Sequence, residues 1–160
     1  HDGCGTLVAN DDYELSCEAS VDDVGGILEL IEPLEQQGAL VKRSRELLET
    51  EISQFRLLVR DGRIIACAAL YPFLDDRCGE IACIVSHPEY RGGKRGQRLL
   101  KTLEQEARKL GLERVFVLTT QTAHWFIEQG FVEADQDALP SAKQFLYNLQ
   151  RNSKVFVKNL

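Results

Sequence analysis

The chain has 160 residues, 44% of them apolar and 28% charged, the balance of a single soluble globular domain. No apolar run approaches the ~20 residues of a membrane span, and residues 1–10 lack the basic start and apolar stretch of a signal peptide, so a cytoplasmic protein with no membrane contact is expected. A net charge of −6 argues against a nucleic-acid partner, yet Arg91, Lys94, Arg95 and Arg98, and separately Lys42, Arg43 and Arg45, form cationic knots suited to small anionic ligands.

Residues 1–12 carry glycines and aspartates without a period and read as a linker tail, and Tyr13–Glu18 alternates as a first strand. Ser20-Val-Asp-Asp23 is a capping box with Asp in the usual Glu place. Val24, Ile27, Leu28, Ile31 and Leu34 then recur at helical spacing, with Gly38 as the stop and Pro33 as a point where the helix bends or ends early. Ser44 caps a second helix over Arg45–Ser53, with Leu47, Leu48 and Ile52 on one side. Phe55–Arg60, Asp61-Gly62 and Ile64–Phe73 form a hairpin, because Asp-Gly suits a type I′ turn.

After a loop at Leu74–Cys78, a strand over Gly79–Ser86 is stopped by Pro88. A helix from Gly96 places Leu99, Leu100, Leu103, Ala107 and Leu110 on one face and ends at Gly111. Val115–Leu118 is a short buried strand, Thr122–Gln129 a helix closed by Gly130, and Phe131-Val132 a return strand. A short helix follows Pro140 to about Leu149, and Val155–Val157 is the last strand. The order β-α-α-β-β-β-α-β-α-β-(α)-β places hairpins early and β-α-β crossovers late, which implies an α/β (α+β) domain with a mixed, helix-covered sheet.

Five cysteines, an odd number without a C-x-x-C pair, argue against a zinc site or a disulfide framework and for reduced thiols. No metal is implied. Cys83 lies in the informative strand, but no histidine is visibly placed to activate it as a nucleophile.

The densest signal is Glu80–Leu100: a strand, a glycine-rich turn with three cations, then a helix start. Bare N–H groups and the positive end of a helix dipole cradle phosphate. Gly92-Gly-Lys-Arg-Gly96 lacks the G-x-x-x-x-G-K-[ST] of a Walker loop, and it follows a hairpin strand deep in the chain rather than opening a Rossmann unit.

The run Val85-Ser-His-Pro-Glu-Tyr-Arg-Gly-Gly-Lys-Arg-Gly-Gln-Arg-Leu-Leu100 resembles motif A of the GNAT superfamily of N-acetyltransferases, whose [Q/R]-x-x-G-x-[G/A] loop binds the pyrophosphate of acetyl-CoA. Arg91 and Gly96 match its ends, and Lys94 replaces the middle glycine. Trp125-Phe-Ile-Glu-Gln-Gly-Phe131 is similar to the superfamily's L-Y-x-x-x-G-F segment, with Phe126 where many relatives have tyrosine. The implied fold is the GNAT fold, a mixed central sheet with helices on both faces. A narrower resemblance, to the acetyltransferase domain of bacterial N-acetylglutamate synthases, covers nearly the whole chain. It rests on Val24–Glu35, Val41–Glu49, Cys78–Cys83, Phe116–Thr120, Leu139-Pro140 and Tyr147–Val155.

That resemblance implies acetyl transfer from acetyl-CoA to the α-amine of L-glutamate, at the start of arginine biosynthesis. Residues 13–160 are then the catalytic domain. Residues 1–12, beginning with His1 rather than Met and including Gly5-Thr-Leu-Val8, are then the linker from an absent kinase-like, arginine-binding domain, in a full-length protein that is a homo-oligomer. Glu80 takes the position of the general base. Ile84 and Val85 hold the thioester carbonyl by their N–H groups, and Arg91, Gly92, Gly93, Lys94, Arg95, Gly96 and Gln97 bind the pyrophosphate. Thr119 takes the leaving-group position, with Tyr147 as a rival, and Arg43, Cys83, Arg151 and Ser153 take the substrate positions. An arginine pair suits a two-carboxylate acceptor, because guanidinium binds carboxylate bidentately. The alternatives are an acetyltransferase for another amino acid or a protein N-terminus, or a non-catalytic acetyl-CoA sensor, for which the absent hydroxyl at Phe126 leaves room.

Overall fold

The computed structural model describes residues 14–38, 40, 42–90, 94–119, 123–141 and 154–160. Two compact units divide the chain: one runs to Ala69 and includes Cys83–Thr102, the other comprises Leu70–Ala82 and Leu103–Leu160. Seven strands, β1 (Glu14–Glu18), β2 (Phe55–Arg60), β3 (Arg63–Phe73), β4 (Cys78–Ser86), β5 (Arg114–Thr119), β6 (Val132–Ala134) and β7 (Lys154–Asn159), follow the order β1-β2-β3-β4-β5-β7-β6. The β4–β5 pair is parallel while β1–β2, β2–β3, β5–β7 and β6–β7 are antiparallel, so the sheet is mixed as expected.

In the first unit, the Asp23 carboxylate accepts from the Ser20 N–H at 2.8 Å and from its hydroxyl at 3.3 Å, closing the capping box ahead of α1 (Val24–Gln36). The helix continues through Pro33 rather than ending there, and the chain leaves it at Gly38, whose φ of 77° is left-handed. Val24, Ile27 and Ile31 are fully buried on its inner stripe, and a Cβ on Gly26 would lie 2.7 Å from the Ile64 side chain, so this glycine sets how closely α1 lies on β3. The Ser44 hydroxyl accepts from the Leu47 N–H at 3.1 Å and caps α2 (Arg45–Glu51), which passes into a 3₁₀ turn at Ile52–Gln54 sooner than expected. Leu48 is buried, but Leu47 faces solvent, as the cap places it in the first turn away from the core. Asp61 (φ 55°) and Gly62 (φ 70°) make the hairpin turn, with both central residues left-handed as type I′ requires.

In the second unit, Cys78, Phe116, Leu139, Val155 and Val157 form one buried cluster, edged by Phe73, Leu118, Ala134 and Ala138. Its members alternate along β5 and β7, where Phe116 pairs with Val157 and Leu118 with Val155, so they share one face. Residues on the other face include Val115, Val117 and Phe156, also buried. The edge-to-face rings of α4 (Ala123–Glu128) and its exit, Trp125 on Phe126 and Phe126 on Phe131, pack within 5.5 Å between centroids, with Gly130 (φ 97°) turning the chain.

Helix α3 (Arg95–Lys109) begins one residue before the expected glycine, and Gly111 (φ 82°) ends it. Leu110 lies past its last turn and is exposed rather than packed. The tail at 1–12, Tyr13, and the helix expected to reach Leu149 lie outside the described residues, apart from its first residue, Ser141. Cys17 is disulfide-bonded, which corrects the expectation of five reduced thiols: an odd count without a C-x-x-C pair does not exclude a single bridge. Cys67, Cys78 and Cys83 form no disulfide.

Candidate active site

In the second unit, the β4–β5 ladder runs Cys78↔Arg114, Gly79↔Val115, Glu80↔Phe116. Glu80 is therefore the last β4 residue in that register, and its half-buried side chain leaves the face that carries Cys78 and Phe116. Gly79 beside it admits no side chain cheaply, since a Cβ would fall 2.8 Å from Leu70 and 3.0 Å from Leu112. Thr119 ends β5 opposite Lys154 of β7. Thr119 lies three residues beyond Phe116, where the β4–β5 ladder ends. Phe126, at the position where a tyrosine was weighed, is buried among Trp125 and Phe131 and has no hydroxyl to offer.

In the first unit, Cys83 has φ 53° in the interior of β4, a conformation uncommon for a residue with a Cβ and one that breaks a regular ladder. Its carbonyl accepts from the Cys67 thiol at 3.3 Å, and both residues are buried. Burial pushes the Cys67 thiol well above its usual range and Cys83 adds to this, while the Arg43 charge and a backbone hydrogen bond at Val85 oppose it. The structure thus brings Cys83 against Cys67, a residue that the sequence does not single out, with the Arg43 charge acting on the same thiol. Arg43 is half-buried in the segment 42–44 between α1 and α2, and its N–H donates to the Glu35 carboxylate at 2.7 Å. Ile84 is half-buried and Val85 buried on the strand beyond. A neutral, enclosed Cys67 is expected to resist iodoacetamide in the native protein and to label only in denaturant; rapid native labelling at Cys67, mapped by mass spectrometry, would contradict that environment.

From Ser86 the chain turns tightly: the His87 N–H donates to the Ile65 carbonyl at 2.7 Å, and the Tyr90 N–H to the His87 carbonyl at 2.8 Å. Arg63 contacts His87 at 3.1 Å and Glu89 at 3.7 Å, which makes His87 a residue of the turn. The Arg95 guanidinium folds back, donating to the Tyr90 carbonyl at 2.9 Å and lying 5.4 Å from the Tyr90 ring centre. Lys94 (φ 60°) is exposed and adopts the left-handed backbone conformation that the motif's middle glycine would supply more cheaply. Gly96 and Gln97 sit in the first turn of α3, where N–H groups have no intrahelical partner and the dipole is positive. Arg91, Gly92, Gly93, Tyr147, Arg151 and Ser153 lie outside the described residues. Among the described residues, no group of three His, Cys, Asp or Glu side chains is arranged to hold a metal ion, and no helix is long and apolar enough to cross a membrane.

A profile of the acetyltransferase (GNAT) family matches residues 26–131. The chain belongs to this family. Among curated proteins it is similar to the amino-acid acetyltransferase of Pseudomonas syringae pv. tomato, 59% identical over 98% of the chain, and to that of Pseudomonas fluorescens, 59% identical over 99%. It spans 36% and 37% of the length of those proteins. Among solved structures, the N-acetylglutamate synthase of Neisseria gonorrhoeae complexed with coenzyme A and N-acetyl-glutamate superposes with a TM-score of 0.89 at 42% identity, covering 95% of this chain and 36% of that one.

Proposed function

We propose that this chain is the acetyl-transferring domain of a cytoplasmic N-acetylglutamate synthase, which moves the acetyl group of acetyl-CoA to the α-amine of L-glutamate and opens arginine biosynthesis. The observation that carries the reading is the likeness to the gonococcal synthase complexed with coenzyme A and N-acetyl-glutamate, the two products of that reaction. The charge of Arg43 acting on Cys67, whose thiol donates to the Cys83 carbonyl, supports it, since a guanidinium suits an acceptor with two carboxylates. The full-length protein is proposed to be a homo-oligomer.

In this reading the α3 N-terminus and the turn Arg91–Gln97 bind the pyrophosphate of acetyl-CoA. The N–H groups of Ile84 and Val85 hold the thioester oxygen where negative charge develops. Glu80 takes the proton from the glutamate amine, directly or through water, as its nitrogen bonds to the carbonyl carbon. The carbon–sulfur bond breaks, and the proton accepted by Glu80 returns through solvent to the leaving thiolate, with Thr119 hydrogen-bonding the sulfur or a water beside it. Arg43 and Arg151, with Cys83 and Ser153, bind the glutamate carboxylates.

Free-thiol release from acetyl-CoA tests this. L-glutamate is expected to support turnover, while alanine, lysine and a peptide N-terminus are expected to support little. No release with glutamate over a range of protein concentrations would overturn the reading, and preferred release with another amine would replace the acceptor.

A further inference from the structure

We propose that Glu35 is a positioning residue for the acceptor site, fixing the main chain of Arg43 and through it the direction of the guanidinium. The inference rests on the reading of Arg43 as a carboxylate anchor. Arg43 lies in neither helix nor strand. Two bonds tie this stretch of chain to its neighbours. On the C-terminal side, the Ser44 cap ties the next residue to α2. On Arg43 itself, the Glu35 carboxylate accepts the N–H at 2.7 Å, across eight positions of chain that include the left-handed turn at Gly38.

A bond this short to a charged acceptor is stronger than a neutral one. It also starts from a rigid base, because Glu35 stands in the last turn of α1, a helix whose inner stripe is fully buried. The Arg43 charge meanwhile acts on the Cys67 thiol, which donates to the Cys83 carbonyl at 3.3 Å. Loss of the Glu35 acceptor removes one short tie on the main chain from which the Arg43 side chain hangs. A bidentate contact loses most from such freedom, since it depends on angle as well as distance.

The test is steady-state kinetics on Glu35→Ala, Arg43→Ala and the double variant. Glu35→Ala is expected to raise the KM for L-glutamate about tenfold, the scale of one charge-assisted hydrogen bond, with kcat and the KM for acetyl-CoA little changed. Arg43→Ala should raise the glutamate KM further, and adding Glu35→Ala to it should change nothing more. Glu35→Gln, which keeps an acceptor oxygen, should restore most of the affinity. If Glu35→Ala fails to fold, Glu35→Asp replaces it: withdrawing the carboxylate by one carbon should give the same split, smaller. Equal effects on both substrates, or a full Glu35 effect in the Arg43→Ala background, would overturn the inference while leaving the acceptor reading intact. An unchanged glutamate KM in Arg43→Ala would overturn that reading, and the inference with it.

Discussion

Glu80→Gln is expected to lower kcat by about two to four orders of magnitude, the usual contribution of a positioned general base, with little change in either KM. The substitution is close to isosteric and lies at the last register pair of the β4–β5 ladder, so backbone pairing and the packing of Phe116 should survive it. The lost group is a proton acceptor, and the deficit should therefore shrink as pH rises and more of the amine arrives already deprotonated. Rate measurements across alkaline pH, with a thermal midpoint as the folding control, separate this from a structural defect. A variant within threefold of the parent kcat would remove Glu80 from the chemistry.

Lys158→Met is expected to give the largest loss of stability. The Lys158 ammonium meets the Glu104 carboxylate at 3.0 Å, and the Glu104 side chain is only 6% exposed. Lys158 also lies 5.9 Å from the centre of the Phe131 ring, and its Cε comes within 3.3 Å of where a Gly130 Cβ would stand. Deleting the cation leaves a carboxylate charged in a poorly hydrated place, at a cost of about 3 kcal/mol, or a fall of roughly 6–12 °C in Tm for a chain of this size. Adding Glu104→Leu should restore most of it, because an apolar pair of similar volume removes the uncompensated charge. Calorimetry on the single and double variants checks both halves; a Lys158→Met protein as stable as its parent would show that water already reaches Glu104.

Elements fixed by neighbouring residues were legible in the sequence. Asp61-Gly62 named its turn, Ser20-Asp23 its capping box and Ser44 its cap, because in each case the residues that satisfy the backbone lie within three positions of the groups they serve. Features set by distant partners were not legible. Nothing in Ile81-Ala-Cys-Ile-Val85 signals a left-handed Cys83. The Glu104–Lys158 pair joins residues 54 apart, and Glu35 looks like an ordinary surface carboxylate until Arg43 is seen above it. Pro33 was legible as a disturbance, yet its missing donor is one hydrogen bond against the buried stripe of α1, and the stripe prevails. For the site, the phosphate turn and Glu80 could be read from order and residue type. The grouping of Arg43, Cys67 and Cys83 required the fold.

The insertion of β7 between β5 and β6 has a consequence for biosynthesis. Strand β6 pairs with β7 in the sheet, and β7 pairs along the whole of β5 from Arg114↔Asn159 to Thr119↔Lys154. While a ribosome is still translating the codons after Ala134, the newly emerged β5 and β6 have no completed neighbour on that side, and their apolar residues await a strand not yet made. The β5–β7–β6 part of the sheet can therefore form only once the chain has been made through Asn159, and until then both strands present unpaired backbone and apolar residues of the kind that attract chaperones.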